Sequence, residues 1–127
     1  MSISSSITVH TGGWPMRPLS GEEAALFHRY ICEGLGDPKR LRILYLLAEE
    51  PRNVSQLTEA LGVSQPTVSH HLRILRERGL VRKERQGQCV CYSIGDVRLI
   101  EALEVLRAFV AEMLDHSAGI LNPQHAK

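Results

Sequence analysis

Aromatic residues make up only 5% of this 127-residue chain. Any core must therefore be built mostly from Leu, Val, Ile and Ala. No apolar run reaches the ~18 residues that would span a bilayer. The N-terminus lacks the charged n-region and apolar h-region of a secretory signal. The three cysteines form no disulfide framework, and a reducing, cytoplasmic setting is the simplest reading. Phosphate-binding loop, HExxH and GxSxG patterns are all missing. A lone Cys32 and His28 pairing does not argue hydrolysis. The chain therefore reads as a non-enzyme with no catalytic residues. An excess of charge is missing too: the formal net charge is +1, so the chain as a whole is not a basic polyanion binder.

The length and the 43% hydrophobic content suit one small domain with a single core. Charge within it is unevenly placed. From Ser64 to Gln88 six cations (Arg73, Arg76, Arg78, Arg82, Lys83, Arg85) face two anions (Glu77, Glu84), a net of +4. From Leu99 to Lys127 the net is −2. A basic patch on a near-neutral chain points to a localised polyanion surface.

The patch begins in the segment SQPTVSHHLRILRER, 64–78, which reads as a helix of about four turns. Ser64 suits the N-cap and Pro66 the first turn. Val68, Leu72 and Leu75 form an apolar stripe, and Gly79 closes the helix. Gln65, Thr67, Ser69, His70, Arg73 and Arg76 lie on the polar face. His71 is nearer the buried side and reads as structural. A helix with such a face is often merely soluble, so its neighbours decide the reading.

Residues 1–19, rich in Ser and then Gly and Pro, read as a flexible N-terminal arm in which Trp14 is an anchor of unknown target. The main domain spans 20–116 and a short tail covers 117–127. Ser20 to Glu23 is a capping-box pattern, and its helix is expected to run to about Leu35 and end at Gly36. Asp37-Pro38 starts a second helix that stops before Pro51 and keeps Lys39, Arg40 and Arg42 on its polar side. Ser55 is expected to open a short third helix ended by Gly62. A short helix, a Gly turn and a longer helix make a helix-turn-helix. Leu80–Lys83 and Val90–Ile94 then read as strands joined by Arg85-Gln86-Gly87-Gln88, a basic wing. Asp96 caps a last helix, Val97 to Asp115, apolar around much of its circumference. Such a helix needs a second surface, which a partner subunit supplies. The fold class is therefore mainly α with a small β-hairpin: a winged helix-turn-helix.

The segments LGDPKRLRILYLL, VSQLTEALGVSQPTVSHHLRILRERGLV and RQGQCVCYSI resemble the ArsR/SmtB family of bacterial winged-helix repressors. The resemblance covers about residues 22–112, and SQPTVSHHLRILRERGLV is its most specific part. It implies a homodimer through the first and last helices, with Ile100, Leu103, Leu106, Phe109, Val110 and Met113 as interface candidates on the last. It also implies double-stranded operator DNA as partner, no membrane, and release on sensing an inducer. A symmetric dimer predicts an inverted-repeat operator. Gln65, Thr67, Ser69 and His70 are candidates for base-edge and phosphate contacts, and Arg73 and Arg76 for phosphates. Arg82, Lys83, Arg85 and Gln88 of the wing would track the backbone or enter a minor groove.

Two metal sites known in the family do not carry over. The positions of one, a cysteine pair before the recognition helix, hold Asn53 and Ser55. Those of the other, on the last helix, hold Asp96, Arg98, Phe109 and Glu112, where Arg and Phe cannot bind zinc. No resident cofactor is assigned. Cys32, Cys89 and Cys91 remain as candidate soft-metal or thiol-sensing residues. On a strand, Cys89 and Cys91 share one face, opposite Val90, Tyr92 and Ile94, with Cα atoms about 6.5–7 Å apart, the limit for a direct disulfide. Two thiolates so placed suit a soft ion such as arsenite, or a reactive sulfur or oxygen species. Cys32 lies four residues after His28; small-hydrophobe packing is its plainer reading. His116 and His125 are further possible ligands. The alternative is a regulator of the same type without a cysteine sensor, either constitutive or controlled by a non-metal ligand or a partner protein.

Overall fold

A computed structural model of the chain describes residues 17–117. Trp14, His125 and most of the expected arm and tail lie outside the described residues. The helices start where local chemistry says they should. Ser20 Oγ accepts from Glu23 N–H at 3.0 Å while Glu23 Oε1 accepts from Ser20 N–H at 3.1 Å. This capping box opens α1, Gly21–Phe27, which continues as a π-helical turn, His28–Cys32. The first helix thus widens where an even α-helix was expected, and the chain turns through Glu33 to Leu35.

Helix α2, Pro38–Glu49, has Asp37 as N-cap and Pro at its start. Helix α3, Val54–Leu61, is capped by Asn53 rather than by Ser55: Asn53 Oδ1 accepts from Gln56 N–H at 2.8 Å and Gln56 Oε1 accepts from Asn53 N–H at 2.9 Å. Asn is at least as good a cap as Ser, and here it also has Gln three residues on to complete the box. Gly62, with φ 71°, ends α3 in the left-handed region that side chains avoid. Ser64 then caps α4, Gln65–Glu77, and Gly79 at φ 77° follows its last turn.

The core lies among α2, α3 and α4. Ile43, Leu44, Leu57, Val68, Leu72 and Leu75 are fully enclosed. Leu80 and Val81 extend it toward the wing, and Leu103 closes it from α5, Val97–Ser117. The wing pairs β1, Val81–Gln86, antiparallel with β2, Cys89–Ile94. Both strands are longer at the turn than the sequence pattern suggested, because Arg85 and Gln86 pair with Val90 and Cys89. That leaves Gly87-Gln88 as a two-residue turn, with Gly87 at φ 66° supplying the first position. Arg52 adds a single bridge on the other edge of β2, with N–H···O bonds of 3.1 and 2.8 Å to and from Tyr92. No described helix is long and apolar enough to cross a membrane.

Candidate nucleic-acid interface

The apolar stripe of α4 decides which of its residues face outward. Val68, Leu72 and Leu75 are buried, and His71 joins them at 6% exposure. Gln65, Ser69, His70, Arg73 and Arg76 are consequently exposed on the opposite side. Thr67 is half-buried, and its hydroxyl is 2.9 Å from that of Ser64, so it braces the start of the helix. Arg73 Nη2 donates to His70 Nδ1 at 3.1 Å, joining two exposed side chains one turn apart on the outer face of α4.

The hairpin continues this surface. In an antiparallel pair, directly opposed residues share a face. Lys83 opposes Tyr92 and Arg85 opposes Val90, while Arg82 opposes Ser93 and Glu84 opposes Cys91. Lys83 and Tyr92 of the wing join Ser69, Leu72, Arg73 and Arg76 of α4 around one polar recess of about 200 Å³. Three cations converge there with no carboxylate in its lining, an arrangement suited to a phosphate oxygen. Arg82 is placed differently: its Nη2 donates to Gly95 O at 2.8 Å and holds the base of the wing. Gln88 is exposed at the tip.

The candidate thiols are distributed over two regions. Cys89 is exposed and Cys91 half-buried, both free, on the wing face opposite Lys83 and Arg85. Cys32 is exposed on the π-helical turn rather than serving as a small core residue. Among the described residues no group of three His, Cys, Asp or Glu is gathered in one protomer, so Cys32 does not complete a three-thiol site with the wing pair.

A second surface is apolar. On α1, Leu26, Phe27 and Tyr30 are exposed; on α5, Val105, Leu106, Phe109 and Met113 are exposed. Such a patch marks an association surface. Leu103 does not belong to it: at 8% exposure it is part of the protomer's own core, and Ile100 packs partly against that core. Val110 is half-buried beside the apolar groove formed with Leu35, Leu41 and Leu106. Sequence periodicity missed Val105, because α5 is apolar on too many sides to show which one faces out.

Sequence reading also missed two basic residues of structural weight. Arg40 donates to Gly34 O and to His71 Nδ1, and Arg78 pairs with Glu33 at 3.2 Å. Burial, aided by the nearby Arg40, His70 and Lys39 side chains, holds the His71 imidazole below its ordinary 6.5, with Asp37 opposing. A guanidinium can only donate, so the neutral ring accepts at Nδ1 and carries its proton on Nε2. At the start of α5, the Arg98 side chain and backbone N–H hold the Asp96 carboxyl down at about 2.

The family model described as "Bacterial regulatory protein, arsR family" matches residues 37–83, the span from α2 through α4 into β1. The chain is 39% identical over 90 residues to the HTH-type transcriptional regulator NmtR of Mycobacterium tuberculosis, covering 71% of this chain and 74% of that one. It is 36% identical over 78 residues to a probable mercury resistance operon repressor of Streptomyces lividans, covering 61% and 62% respectively. Among solved structures, the homodimeric winged helix-turn-helix DNA-binding domain Mb0332 of Mycobacterium bovis superposes with a TM-score of 0.68 at 30% identity, over 80% of this chain and 95% of that one. The exposed face of α4, the cationic wing beside it and these likenesses agree: the chain belongs to the ArsR/SmtB family of bacterial regulatory proteins, DNA-binding transcription regulators built on a winged helix-turn-helix.

Proposed function

We propose that the protein is a repressor that binds an inverted-repeat operator as a homodimer and is released by a thiol-directed inducer acting at Cys89 and Cys91. The observation that carries the operator half is the continuous surface of Gln65, Ser69, His70, Arg73, Arg76 and Lys83 across α4 and the wing. A two-fold dimer built on the apolar faces of α1 and α5 presents two such surfaces. Recognition helices then sit in successive major grooves about 34 Å apart, which calls for half-sites in inverted order.

The inducer half rests on position. Cys89 and Cys91 lie on the same six-residue strand as Tyr92, whose side chain lines the cationic recess. A soft ion bridging the two thiolates, or their oxidation, would reshape β2, whose Tyr92 pairs directly with Lys83 of β1 and so sets how that cation is presented to DNA. The Streptomyces relative named for mercury resistance is a precedent for a thiol-seeking ion. A DNA target and three cysteines without a disulfide framework support a reducing, cytoplasmic setting.

The test is an operator gel-shift on reduced full-length protein, challenged in parallel with arsenite, zinc, a polysulfide and hydrogen peroxide. Release by one of them, lost in a Cys89→Ser/Cys91→Ser variant, is the expected result. Release that persists in that variant, or no release by any agent, removes the wing cysteines as sensor and leaves a regulator of the same fold with another signal.

A further inference from the structure

The chain leaving the first helix is fastened to the recognition helix at two points, and one arginine makes most of the fastening. Arg40 Nε donates to Gly34 O at 2.8 Å and its Nη2 donates to Glu33 O at 3.3 Å. Its Nη1 donates to His71 Nδ1 at 2.9 Å. The Glu33 carboxylate in turn accepts from Arg78 Nη2 at 3.2 Å, at the C-cap of α4. Between these ties Gly34 is buried so closely that a Cβ there would stand 2.8 Å from Leu80 Cδ1 and 2.9 Å from Tyr30 O. The segment 33–34 therefore lies against α4 and the start of the wing with no slack.

These contacts join two surfaces that act together in DNA binding. One end of the segment is the π-helical turn of α1, whose Leu26, Phe27 and Tyr30 face outward for a partner copy. The other end is α4 at His71, the neighbour of the exposed DNA-facing His70. Arg40 is half-buried and His71 is 6% exposed, and both point into the protomer, away from the exposed face of α4.

We propose that Arg40 is a positioning residue for operator binding: it sets the angle of the recognition helix relative to the dimer-forming helix, through His71 on one side and the Glu33 and Gly34 carbonyls on the other. The proposal rests on the dimeric operator reading and not on the cysteines, so it is tested on reduced protein without inducer. Two half-sites must be met at once at a fixed spacing, so a small tilt in each protomer is counted twice. Non-specific binding, which depends on phosphate charge alone, tolerates that tilt.

The same geometry supplies a readout that simple structural support would not. The tie needs a neutral His71, because an imidazolium has no acceptor and would face the Arg40 guanidinium as a second cation. Burial first, and then Arg40 and Lys39 from α2 and His70 on α4, oppose its protonation, while Asp37 at the N-cap of α2 favours it. Acid therefore opens the tie, and Gln at position 71 keeps an acceptor that no longer titrates.

The experiment measures binding of full-length wild type, Arg40→Gln and His71→Gln to a two-half-site operator and to non-specific duplex. Fluorescence anisotropy is followed from about pH 7.5 to about pH 5.5, with dimer state by sedimentation and folding by circular dichroism. For Arg40→Gln the expected result is a folded dimer whose operator affinity at the upper pH falls about tenfold or more, with non-specific binding unchanged. For His71→Gln it is near wild-type affinity at the upper pH and a smaller loss on acidification than wild type shows. Effects of acid on groups other than position 71 are common to both proteins and cancel in that comparison. A folded, dimeric Arg40→Gln with wild-type operator affinity overturns the proposal, as does an equal loss on non-specific duplex. If Arg40→Gln does not fold, the His71→Gln profile decides, and a pH response identical to wild type overturns it.

Discussion

Phe109→Glu should convert the dimer to a folded monomer. Phe109 keeps 59% of its surface exposed in the protomer and contributes nothing to the core. A Phe buries roughly 200 Å², so about 120 Å² of ring is left for an interface to cover. At about 25 cal/mol per Å² that is about 3 kcal/mol per protomer, and about 6 kcal/mol for the symmetric pair. Losing it shifts the dimer dissociation constant by about four orders of magnitude, before the cost of desolvating the new carboxylate is added. Sedimentation equilibrium reads the change directly, and circular dichroism with thermal melting of the monomer shows whether the protomer survives. The contrasting substitution is Leu103→Ala. Leu103 is 8% exposed among core residues, so this change should destabilise the protomer by about 2–5 kcal/mol. A Phe109→Glu protein that stays dimeric at micromolar concentration would refute the assignment of this face.

Three further outcomes follow from the structure. Arg73→Ala and Arg76→Ala should each reduce the slope of log binding constant against log salt by about 0.9, measured by anisotropy titration at several salt concentrations; an unchanged slope removes that side chain from the phosphate contacts. Gly95→Ala should lower the melting temperature, because its Cβ would lie 2.6 Å from Gly79 O, a backbone atom that cannot swing away; a cost of about 1–3 kcal/mol is expected, and an unchanged melting curve contradicts it. His71 has a folded-state pKa below the ordinary 6.5, so its contribution to stability is complete above about that pH and is lost as pH falls through the lower folded value. Urea unfolding of wild type should therefore weaken in acid more steeply than that of His71→Gln, and parallel curves would refute this.

Local chemistry made much of the fold readable in the sequence. Ser64, Asp37 and the Ser20–Glu23 box cap helices because their oxygens reach N–H groups two or three residues away, and Gly62 and Gly79 end helices by their own dihedral freedom. The outward face of α4 was readable for the same reason, since Val68, Leu72 and Leu75 fix the inward one. Long-range partnerships left no such trace. Arg40 looks like a surface cation by helical period, yet its acceptor His71 lies 31 residues on. The Arg52–Tyr92 bridge is a single pair with no pattern to announce it. Strand β1, VRKERQ, buries only Val81, so nothing in its own residues marks where it ends; pairing with β2 sets its length. The division of α5 between Leu103 inside and Val105 outside depends on which side α2 occupies, and a helix apolar around much of its circumference cannot reveal that.

The most direct test of the central claim is the binding of wild type and a His70→Ala/Arg73→Ala variant to an operator recovered by selection from random duplex DNA. Both residues are exposed on α4, so the variant should fold and dimerise as wild type does. Wild type should select two inverted half-sites about one helical turn apart, and the variant should lose that preference while keeping weak, salt-sensitive binding. Undiminished, sequence-specific binding by the variant would contradict the assignment of α4 as the element that reads DNA.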